Sequence, residues 1–423
     1  MFDQEFISAE LLADIVSVSK STLNKWEKNG RLKPILHPIT NRKLYPVSQL
    51  GQFPEIQRMR ETKWDEEIKI KPIRNFLAVE LFAGAGGLAL GLEKAGFITV
   101  ALNELDKDCC HTLKLNRPEW SVIQADARVT NFTQFTDIDL VSGGFPCQAF
   151  SYAGEKLGFD DARGTLFFEF ARAIKEIQPK IFLAENVRGL LTHDRGKTLA
   201  TIKAIIFEIG YALVEPKVLK AIFYRVPQKR ERLFLVGIRN DLVKFARFSW
   251  PSPYHRILTL KDALKAGELY DTDVPDSLGA AYPKRKKNIL SQVPPGGYWR
   301  DLPEHLQKEY MQNSYFLGGG KTGMARRLSW DEPSLTLTCA PAQKQTERCH
   351  PTETRPLTIR EYARIQTFPD DWQFSGSLAS QYKQVGNAVP VNLAHAVGRS
   401  LVALLNQIEA QLSQDSLIFN KIM

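Results

Sequence analysis

The sequence predicts an α/β fold with a mostly parallel sheet, and three observations lead to that prediction. Short apolar segments typical of buried strands alternate with helical segments from residue 76 to residue 238. The first strand runs into a glycine-rich turn that is followed directly by a helix. Polar residues follow the ends of the next strands, which is where parallel sheets bind their ligands. A smaller domain is predicted before this region and another after it.

Composition limits what the chain can be. A chain of 423 residues that is 43% hydrophobic can build at least two domains. It has no apolar run of about 18 residues and no basic stretch followed by an apolar leader, so we expect a soluble, unexported, cytoplasmic protein. The five cysteines lack CxxC spacing, which suits a reducing compartment and predicts no structural zinc or other metal. The net charge of +9 favours a polyanionic partner, although many proteins this basic bind no nucleic acid.

Residues 1–60 are predicted to form a small domain of their own. Ser8 and Ser19 are candidate caps for two short helices joined by a tight turn, and a β-rich stretch follows. Lys20 and Lys25 on the second helix are candidate contacts to DNA phosphates. The segment resembles the winged helix-turn-helix of MerR and excisionase proteins. A small helical docking domain with a solvated basic face is the alternative.

A candidate cofactor site lies at three consecutive strand ends. The strand Phe76–Phe82 is followed by glycines whose backbone N–H groups can approach a ligand, and the helix behind them favours an anionic group. Glu104 follows the second strand, 20 residues after Gly84, where an acid can accept hydrogen bonds from ribose hydroxyls. Asp126 follows the third strand and can accept from an adenine amino group. Together they predict an adenosine-containing cofactor, and the glycine spacing departs from the GxGxxG of NAD-binding proteins.

The fourth strand ends at a loop that holds Cys147. Pro146 fixes the backbone beside this thiol, and strand-end loops are a common place for nucleophiles. Taken alone, the loop fits a catalytic nucleophile and a packed free cysteine equally well. The later strand ends must decide, and they carry Glu185 and the pair Arg230 and Arg232.

With these motifs in order, the chain from about residue 76 to residue 408 resembles a DNA cytosine-5 methyltransferase of the bacterial restriction-modification type. The motifs are Phe82–Gly87, Glu104, Asp126, Gly144–Gln148, Arg163–Thr165, Glu185–Val187, Gln228–Arg232, Arg360–Pro369 and Gln384–Pro390. The resemblance implies a Rossmann-like sheet and S-adenosylmethionine as the methyl donor. It also implies that the enzyme acts on cytosines flipped out of double-stranded DNA. One departure is Arg225, at a position where the family often has glycine. This residue leaves the backbone conformation of the local turn undecided.

The resemblance also implies roles for individual residues. Cys147 would add to C6 of the cytosine, because C5 is a poor nucleophile until the ring is activated. Glu185 would contact N3 and Arg230 would help to hold the base at O2, with Arg232 in the same catalytic set. Alternatively, Glu185 only caps the next helix, and Arg230 and Arg232 only form salt bridges at a strand end. The residues assigned to the cofactor are Phe82, Gly84, Gly86, Gly87, Glu104, Leu105, Asp126, Ala127, Pro146, Leu166, Asn387 and Val389.

The remaining divisions follow the family's order. They are a linker (61–75), a catalytic and cofactor-binding domain (76–240), a target-recognition domain (241–355), a return to the catalytic domain (356–408) and a tail (409–423). Arg, Gln and Lys side chains can read base edges or neutralise phosphates. The assigned DNA contacts, beside those on the N-terminal helix, are Gln148, Ser151, Arg163, Lys321, Arg326, Arg327, Gln343, Lys344, Gln345 and Arg348. The basic run 284–287 either touches the DNA backbone or forms a solvated loop.

The recognition segment resembles those for short G·C-rich palindromes of the GGNCC kind. We expect a monomer that acts on the same DNA site as a cognate restriction endonuclease. Three alternatives remain: a transcriptional regulator that works through residues 1–60, which in some members repress the enzyme's own promoter; a tRNA cytosine-5 methyltransferase; and a NAD dehydrogenase. The long segment 240–355 argues against the tRNA enzyme, and a dehydrogenase has no use for Cys147, Glu185 and Arg230 together.

Overall fold

The N-terminal module, residues 5–60, consists of two capped helices and a small antiparallel sheet. The structure is a computed structural model that describes residues 5–38, 41–145, 165–245, 247–319 and 321–422, with side chains as far as residue 414. Ser8 and Ser19 each accept a hydrogen bond from a backbone N–H in the first turn of the helix that follows, as the sequence predicts. The elements are β1 (Phe6–Ser8), α1 (Ala9–Ile15), α2 (Lys20–Lys28), β2 (Ile35–Leu36), β3 (Lys43–Pro46) and α3 (Pro54–Arg60). The strands pair in the order β1-β3-β2.

The segment predicted as a linker contains a packed helix, α4 (Trp64–Glu67). Its Trp64 is buried, lies edge-on to Tyr254 and carries the guanidinium of Arg399 over its ring. The sequence does not indicate this contact, because the segment is largely charged and its burial depends on one aromatic residue.

The central sheet has eight strands, and it is mixed where the sequence predicts a mostly parallel one. Its strands are β4 (Phe76–Leu81), β5 (Phe97–Glu104), β6 (Ser121–Gln124), β7 (Leu140–Gly143), β8 (Ile181–Val187), β9 (Tyr211–Leu213), β10 (Lys217–Lys220) and β12 (Glu231–Arg239). The order is β10-β12-β8-β7-β4-β5-β6, with β9 also on β12. The strands from β8 to β6 are parallel, whereas β12 runs antiparallel to β8, β9 and β10. Residues 211–220 form two strands, β9 and β10, because Pro216 between them has no N–H for the ladder.

Helices cover both faces of this sheet, which explains why its strands read as continuous apolar runs. On β8, Ile181 and Leu183 face the core shared with α14 (Val391–Ile422), whereas Phe182 and Ala184 face the core beneath α7 (Leu166–Ile177) and α8 (Lys197–Glu208). The helices of this region are α5 (Gly87–Ala95), α6 (Lys107–Asn116), α7 (Leu166–Ile177) and α8 (Lys197–Glu208). Because all the parallel strands end at one edge, the polar residues that follow them come together there.

The segment after residue 240 forms a further core and then returns to the sheet. It contains α9 (Leu260–Leu264), α10 (Lys284–Leu290), α11 (Glu304–Met311) and β13 (Ser334–Leu335), which pairs with β11 (Gln228–Lys229). The basic run 284–287 is therefore the start of a helix and not a loop, and Lys286 forms an ion pair with the buried Glu347. The chain ends with α12 (Ile359–Ile365), α13 (Leu378–Asn387) and α14 (Val391–Ile422).

The last helices include a long apolar segment. Within the described ranges, 378–414 is the one helical segment long and apolar enough to cross a membrane, and 83% of its most apolar window is buried inside the protein. Its apolar side chains pack against α5 and the sheet, as in the core helix of a globular domain.

Candidate active site

A cavity of about 660 Å³ lies at the edge where the parallel strands end. Its walls come from the turn after β4, the ends of β5, β6 and β8, the start of α7 and the residues between α13 and α14. Residues of both predicted sets line it: Phe82, Gly84, Gly87, Glu104, Leu105, Asp126, Ala127, Leu166, Asn387 and Val389 from the cofactor set, and Glu185 and Arg232 from the catalytic set. The cavity therefore joins the two predicted sites in one space.

Glu104 organises the first part of the cavity wall. One carboxylate oxygen accepts the N–H of Gly84 at 2.7 Å, and the other accepts the N–H groups of Leu105 and Asp106 at 2.8 and 2.7 Å. A carboxylate has about four acceptor positions, so it keeps capacity for a ligand hydroxyl. Leu105, 63% exposed at the rim, adds an apolar surface.

Asp126 stands at the end of the next strand. Its carboxylate accepts the backbone N–H of Arg128 at 2.9 Å and pairs with that guanidinium at 3.1 Å. These bonds to Arg128 hold the pKa of Asp126 below its usual range, so the group is an anionic acceptor at neutral pH. Ala127 beside it completes this part of the wall.

Among the predicted glycines, one supports the cavity without lining it. Gly86 has φ +84°, and a Cβ there would stand 2.7 Å from Leu113 and 3.1 Å from Trp372, so it serves the packing behind the turn. Phe82 has a left-handed backbone, with φ +58°, which turns the chain from the strand into the glycine loop.

Glu185 and Arg232 form a buried ion pair at the other part of the cavity. Glu185 is 9% exposed, and the Nε of Arg232 lies 2.6 Å from its carboxylate. Burial raises the pKa of Glu185, while Arg232 and Arg230 oppose that rise. The carboxyl group is thus closer to protonation than a free glutamate and can act as a proton donor.

Arg230 is placed differently from the prediction that it holds the base. Its side chain is 1% exposed, and Nη2 donates to the carbonyl oxygens of Gly386 and Asn387 at 3.0 and 3.4 Å. It lines a neighbouring cavity and not the one that contains Glu185. Of the two arginines, Arg232 therefore lies beside the acid, while Arg230 ties the sheet to the end of α13.

Five predicted residues lie outside the described residues: Pro146, Cys147, Gln148, Ser151 and Arg163. Phe145 and Leu166, on either side of residues 146–164, both line the cavity. The Nδ2 of Asn186 donates to the carbonyl oxygen of Phe145 at 2.8 Å, which fixes the point where the chain leaves β7.

Glu80 is a cavity residue that the sequence reasoning missed. It is 3% exposed on β4, and its one described partner is the hydroxyl of Ser142 at 3.3 Å. Burial, with Glu104 and Glu185 nearby, raises the pKa of Glu80 to about 8. An acid inside an apolar strand that leads to a glycine turn was the available signal.

Two of the arginines predicted to contact DNA instead hold the fold of the recognition segment. Arg327 is 4% exposed, and its guanidinium donates to the backbone carbonyl oxygens of Val293, His350 and Leu290, among others. Arg348 is 6% exposed and donates to the carbonyl oxygen of Thr336. Because their donors are already used inside the recognition segment, these arginines hold its loops together and cannot reach a base.

The other predicted DNA contacts are more accessible. Gln343 and Gln345 are exposed, whereas Lys344, Lys321 and Arg326 are half-buried. In the N-terminal module, Lys20 and Lys25 are exposed, and Lys20 is paired with Glu10. None of these groups lines the active-site cavity.

The mixed sheet and the cavity at its parallel strand ends are those of an α/β fold that binds its ligand at the strand ends, as α/β methyltransferases do. The chain matches the C-5 cytosine-specific DNA methylase family over residues 76–403. It is 63% identical over 409 residues to the type II methyltransferase M.Eco47II of Escherichia coli, covering 96% of this chain and 98% of that one. It is 59% identical over 406 residues to M.PspPI of Psychrobacter sp. (strain TA137), with the same coverages of 96% and 98%.

A solved structure from E. coli, described as a prophage-encoded DNA modification methyltransferase, superposes with a TM-score of 0.61 at 25% identity, covering 78% of this chain and 100% of that one. The chain belongs to the C-5 cytosine-specific DNA methylase family, and it is a type II DNA (cytosine-5-)-methyltransferase of restriction-modification systems.

Proposed function

We propose that this enzyme transfers a methyl group from S-adenosylmethionine to C5 of a cytosine that is flipped out of a short, specific duplex sequence. One observation carries the proposal: the acidic strand ends suited to an adenosine ligand and the pair Glu185–Arg232 line the same cavity. A methyl donor and a pyrimidine must meet in one water-poor space, and this cavity brings their two sets of partners together. The modification protects the DNA from a cognate restriction endonuclease.

The cavity fits S-adenosylmethionine by size and by chemistry. Its volume of about 660 Å³ lies within the range of small-molecule sites. Glu104 and Asp126 offer acceptors for the ribose hydroxyls and the adenine amino group, while Phe82 and Leu105 offer apolar surface for the adenine ring. Asn387 and Val389 close the opposite wall. When bound, S-adenosylmethionine supplies an electrophilic methyl group.

The enzyme's own residues make C5 of the cytosine nucleophilic. The thiolate of Cys147 adds to C6 and forms a C–S bond, and the electron pair of the C5–C6 double bond moves toward C5 and the N3/O2 edge. Glu185 donates a proton to N3, which neutralises the charge that develops there. After C5 has received the methyl group, a base removes the C5 proton and the thiolate leaves C6, which restores the C5–C6 double bond. N3 then returns its proton to Glu185, so that the product is neutral and the acid is regenerated. Arg232 holds the carboxyl of Glu185 in place through this sequence.

The target site is proposed to be a G·C-rich palindrome of the GGNCC kind, read by the recognition segment. The exposed amides of Gln343 and Gln345 are suited to base-edge contacts. We propose in addition that the enzyme works as a cytoplasmic monomer, and that the exposed basic helix α2 lets it repress its own promoter. A promoter–reporter strain that expresses the full chain tests the last point, since unchanged reporter output contradicts repression.

Replacement of the nucleophile tests the central proposal. Cys147→Ser is expected to reduce methyl transfer to duplex DNA by several orders of magnitude while the binding of DNA and of S-adenosylmethionine persists. Tritiated methyl incorporation into duplex DNA and into tRNA, measured side by side with the native enzyme, separates the DNA enzyme from a tRNA enzyme. Full transfer by Cys147→Ser, or incorporation into tRNA alone, refutes the proposal. Bisulfite sequencing of DNA from cells that express the chain then maps the methylated cytosine and its sequence context.

A further inference from the structure

A second cavity, of about 530 Å³, lies between the N-terminal module and the central sheet. Ser17 and Val18, in the turn between α1 and α2, form its N-terminal side. Arg188 after β8 and Lys220 at the end of β10 belong to its opposite side. Nothing in the methyl-transfer chemistry uses this space.

The second cavity is cationic. Five of its lining residues are Lys or Arg and two are Asp or Glu. Arg188 pairs with Glu231 at 2.8 Å but keeps 66% of its side chain open to solvent. Arg230 is buried, with an Nε that has no hydrogen-bond partner among the described residues. Glu185 and Glu332 pair with Arg232 and Lys229 from outside the lining, so the cavity keeps an excess of one positive charge, which favours an anion.

The second cavity adjoins the proposed cytosine site. Val187 and Arg232 line both cavities, and Arg232 is the residue paired with Glu185. A duplex whose cytosine lies against Glu185 therefore brings its own backbone beside the second cavity. The nearest polyanion is the DNA strand that flanks the target base.

The N-terminal module contacts the rest of the protein on two sides of the second cavity. Lys229 bridges Asp14 of the module at 3.0 Å and Glu332 of the recognition segment at 3.1 Å. Arg42 donates to the carbonyl oxygen of Gly296 at 3.0 Å on the recognition segment. The module also shares a hydrophobic core with Ile222 and Ile257 from beyond the sheet. These contacts hold the module against the sheet and the recognition segment, beside the second cavity.

We propose that the second cavity binds the sugar-phosphate backbone next to the flipped cytosine, so that the N-terminal module is a fixed part of the interface with the duplex being methylated. The α1–α2 turn forms the outer side of that interface, and Arg188 contributes its charge. This inference rests on the proposed function. It assigns the module a role on the substrate duplex, in addition to any role at a promoter.

A charge placed on the outer side tests the inference in the full-length enzyme. Ser17 is exposed with φ +57°, a backbone that Asp tolerates better than most residues, so Ser17→Asp adds one negative charge with little added strain. The matched control is Asn29→Asp, an exposed residue at the other end of α2 whose side-chain oxygen accepts from the N–H of Arg31. It adds the same charge away from the cavity and keeps that hydrogen bond. Deletion of the module is unsuitable, because it would expose the shared core.

The readouts are the affinity for a 30-base-pair duplex that carries the mapped site, measured over a range of salt concentrations, and the hydroxyl-radical footprint. We expect Ser17→Asp to weaken duplex binding roughly fivefold and to lose backbone protection beside the target, while protection over the target persists. Asn29→Asp should bind like the native enzyme. Arg188→Gln, a second probe, should lower the slope of log affinity against log salt by about 0.9, the loss of one phosphate contact.

Unchanged affinity and footprint in both Ser17→Asp and Arg188→Gln overturn the inference, as does an equal loss in Ser17→Asp and Asn29→Asp. Inorganic phosphate serves as a further probe: if it stabilises the native enzyme and Ser17→Asp abolishes only that effect, the cavity is a free-phosphate site and the backbone assignment is wrong. If the native enzyme itself fails to methylate the mapped duplex, it is the proposed function that fails.

Discussion

Gly87, the first residue of α5, supports a prediction about how the cofactor wall is built. An added Cβ would lie 2.3 Å from the carbonyl oxygen of Val389 and 3.2 Å from the Cβ of Ala388. The first distance is about 1 Å shorter than an ordinary contact, and a backbone carbonyl cannot rotate away as a flexible side chain can. Gly87→Ala must therefore push residues 388–389 outward, and Val389 lines the cofactor cavity.

Two opposing free-energy terms decide whether Gly87→Ala stabilises or destabilises the fold. Alanine gains at most about 1 kcal/mol in helix propensity over glycine, and less at a helix end. Overpacking in a buried site costs about 1–3 kcal/mol, so we expect a net loss of about 1–2 kcal/mol in the free energy of unfolding. A tenfold loss of affinity for S-adenosylmethionine would remove about 1.4 kcal/mol of the stabilisation that a saturating ligand gives.

Urea unfolding of the native enzyme and of Gly87→Ala, with and without S-adenosylmethionine, measures both effects. Gly210→Ala is the matched control, since Gly210 has φ +91° and no atom within 4 Å of an added Cβ. It should lower stability by about 1 kcal/mol through backbone strain and keep the full cofactor-induced stabilisation. If Gly87→Ala retains that stabilisation too, the contact between the glycine turn and residues 388–389 does not set the cofactor wall.

Three further predictions follow from buried or strained groups. Because burial raises the pKa of Glu80 to about 8, its stability contribution is present below pH 4.5 and is lost as pH rises through 8. Between pH 5 and 8 the native enzyme should therefore lose on the order of 3 kcal/mol of unfolding free energy relative to Glu80→Gln, and parallel stability–pH curves would contradict this. Arg225 has φ +54°, so Arg225→Gly should be about 1 kcal/mol more stable than Arg225→Ala in urea unfolding, whereas equal stability would mean that the turn is unstrained. Arg327→Ala should lower the free energy of unfolding by about 3 kcal/mol or more, because it leaves buried carbonyl oxygens without a donor. If the variant is instead stable and bisulfite sequencing shows methylation at a different sequence, Arg327 does read a base.

The sequence predicted the parts of the fold that depend on local signals. The caps at Ser8 and Ser19, the strand leading to Phe82 and the polar ends at Glu104 and Asp126 follow from capping, apolar runs and turn residues. These signals are short-range, so they survive in a single chain without any knowledge of its neighbours. The ordered motifs then identified the family, which the comparisons confirm.

What the sequence could not predict depends on long-range packing. The direction of β12 is set by its pairing with β8 and not by its own apolar pattern, which looks the same in a parallel or an antiparallel strand. Arg327 and Arg348 have the composition of DNA-reading residues, and only the folded segment shows that their donors are spent on carbonyl groups. Arg225 illustrates the same limit, because its ion pair with Glu268 at 3.0 Å holds a left-handed turn where the family often has glycine.

The closing wall of the cofactor cavity comes from the last tenth of the chain, and this has a consequence for synthesis. Residues 387–389 and α14 are translated after everything else in the fold, yet they pack against the first strand–helix unit, which is translated early. A polypeptide that stops short of residue 387 has the predicted nucleophile and the glycine loop but lacks one side of the cofactor pocket. A chain that stops there is therefore expected to lack methyl transfer, because the proposed cofactor pocket has no wall on that side.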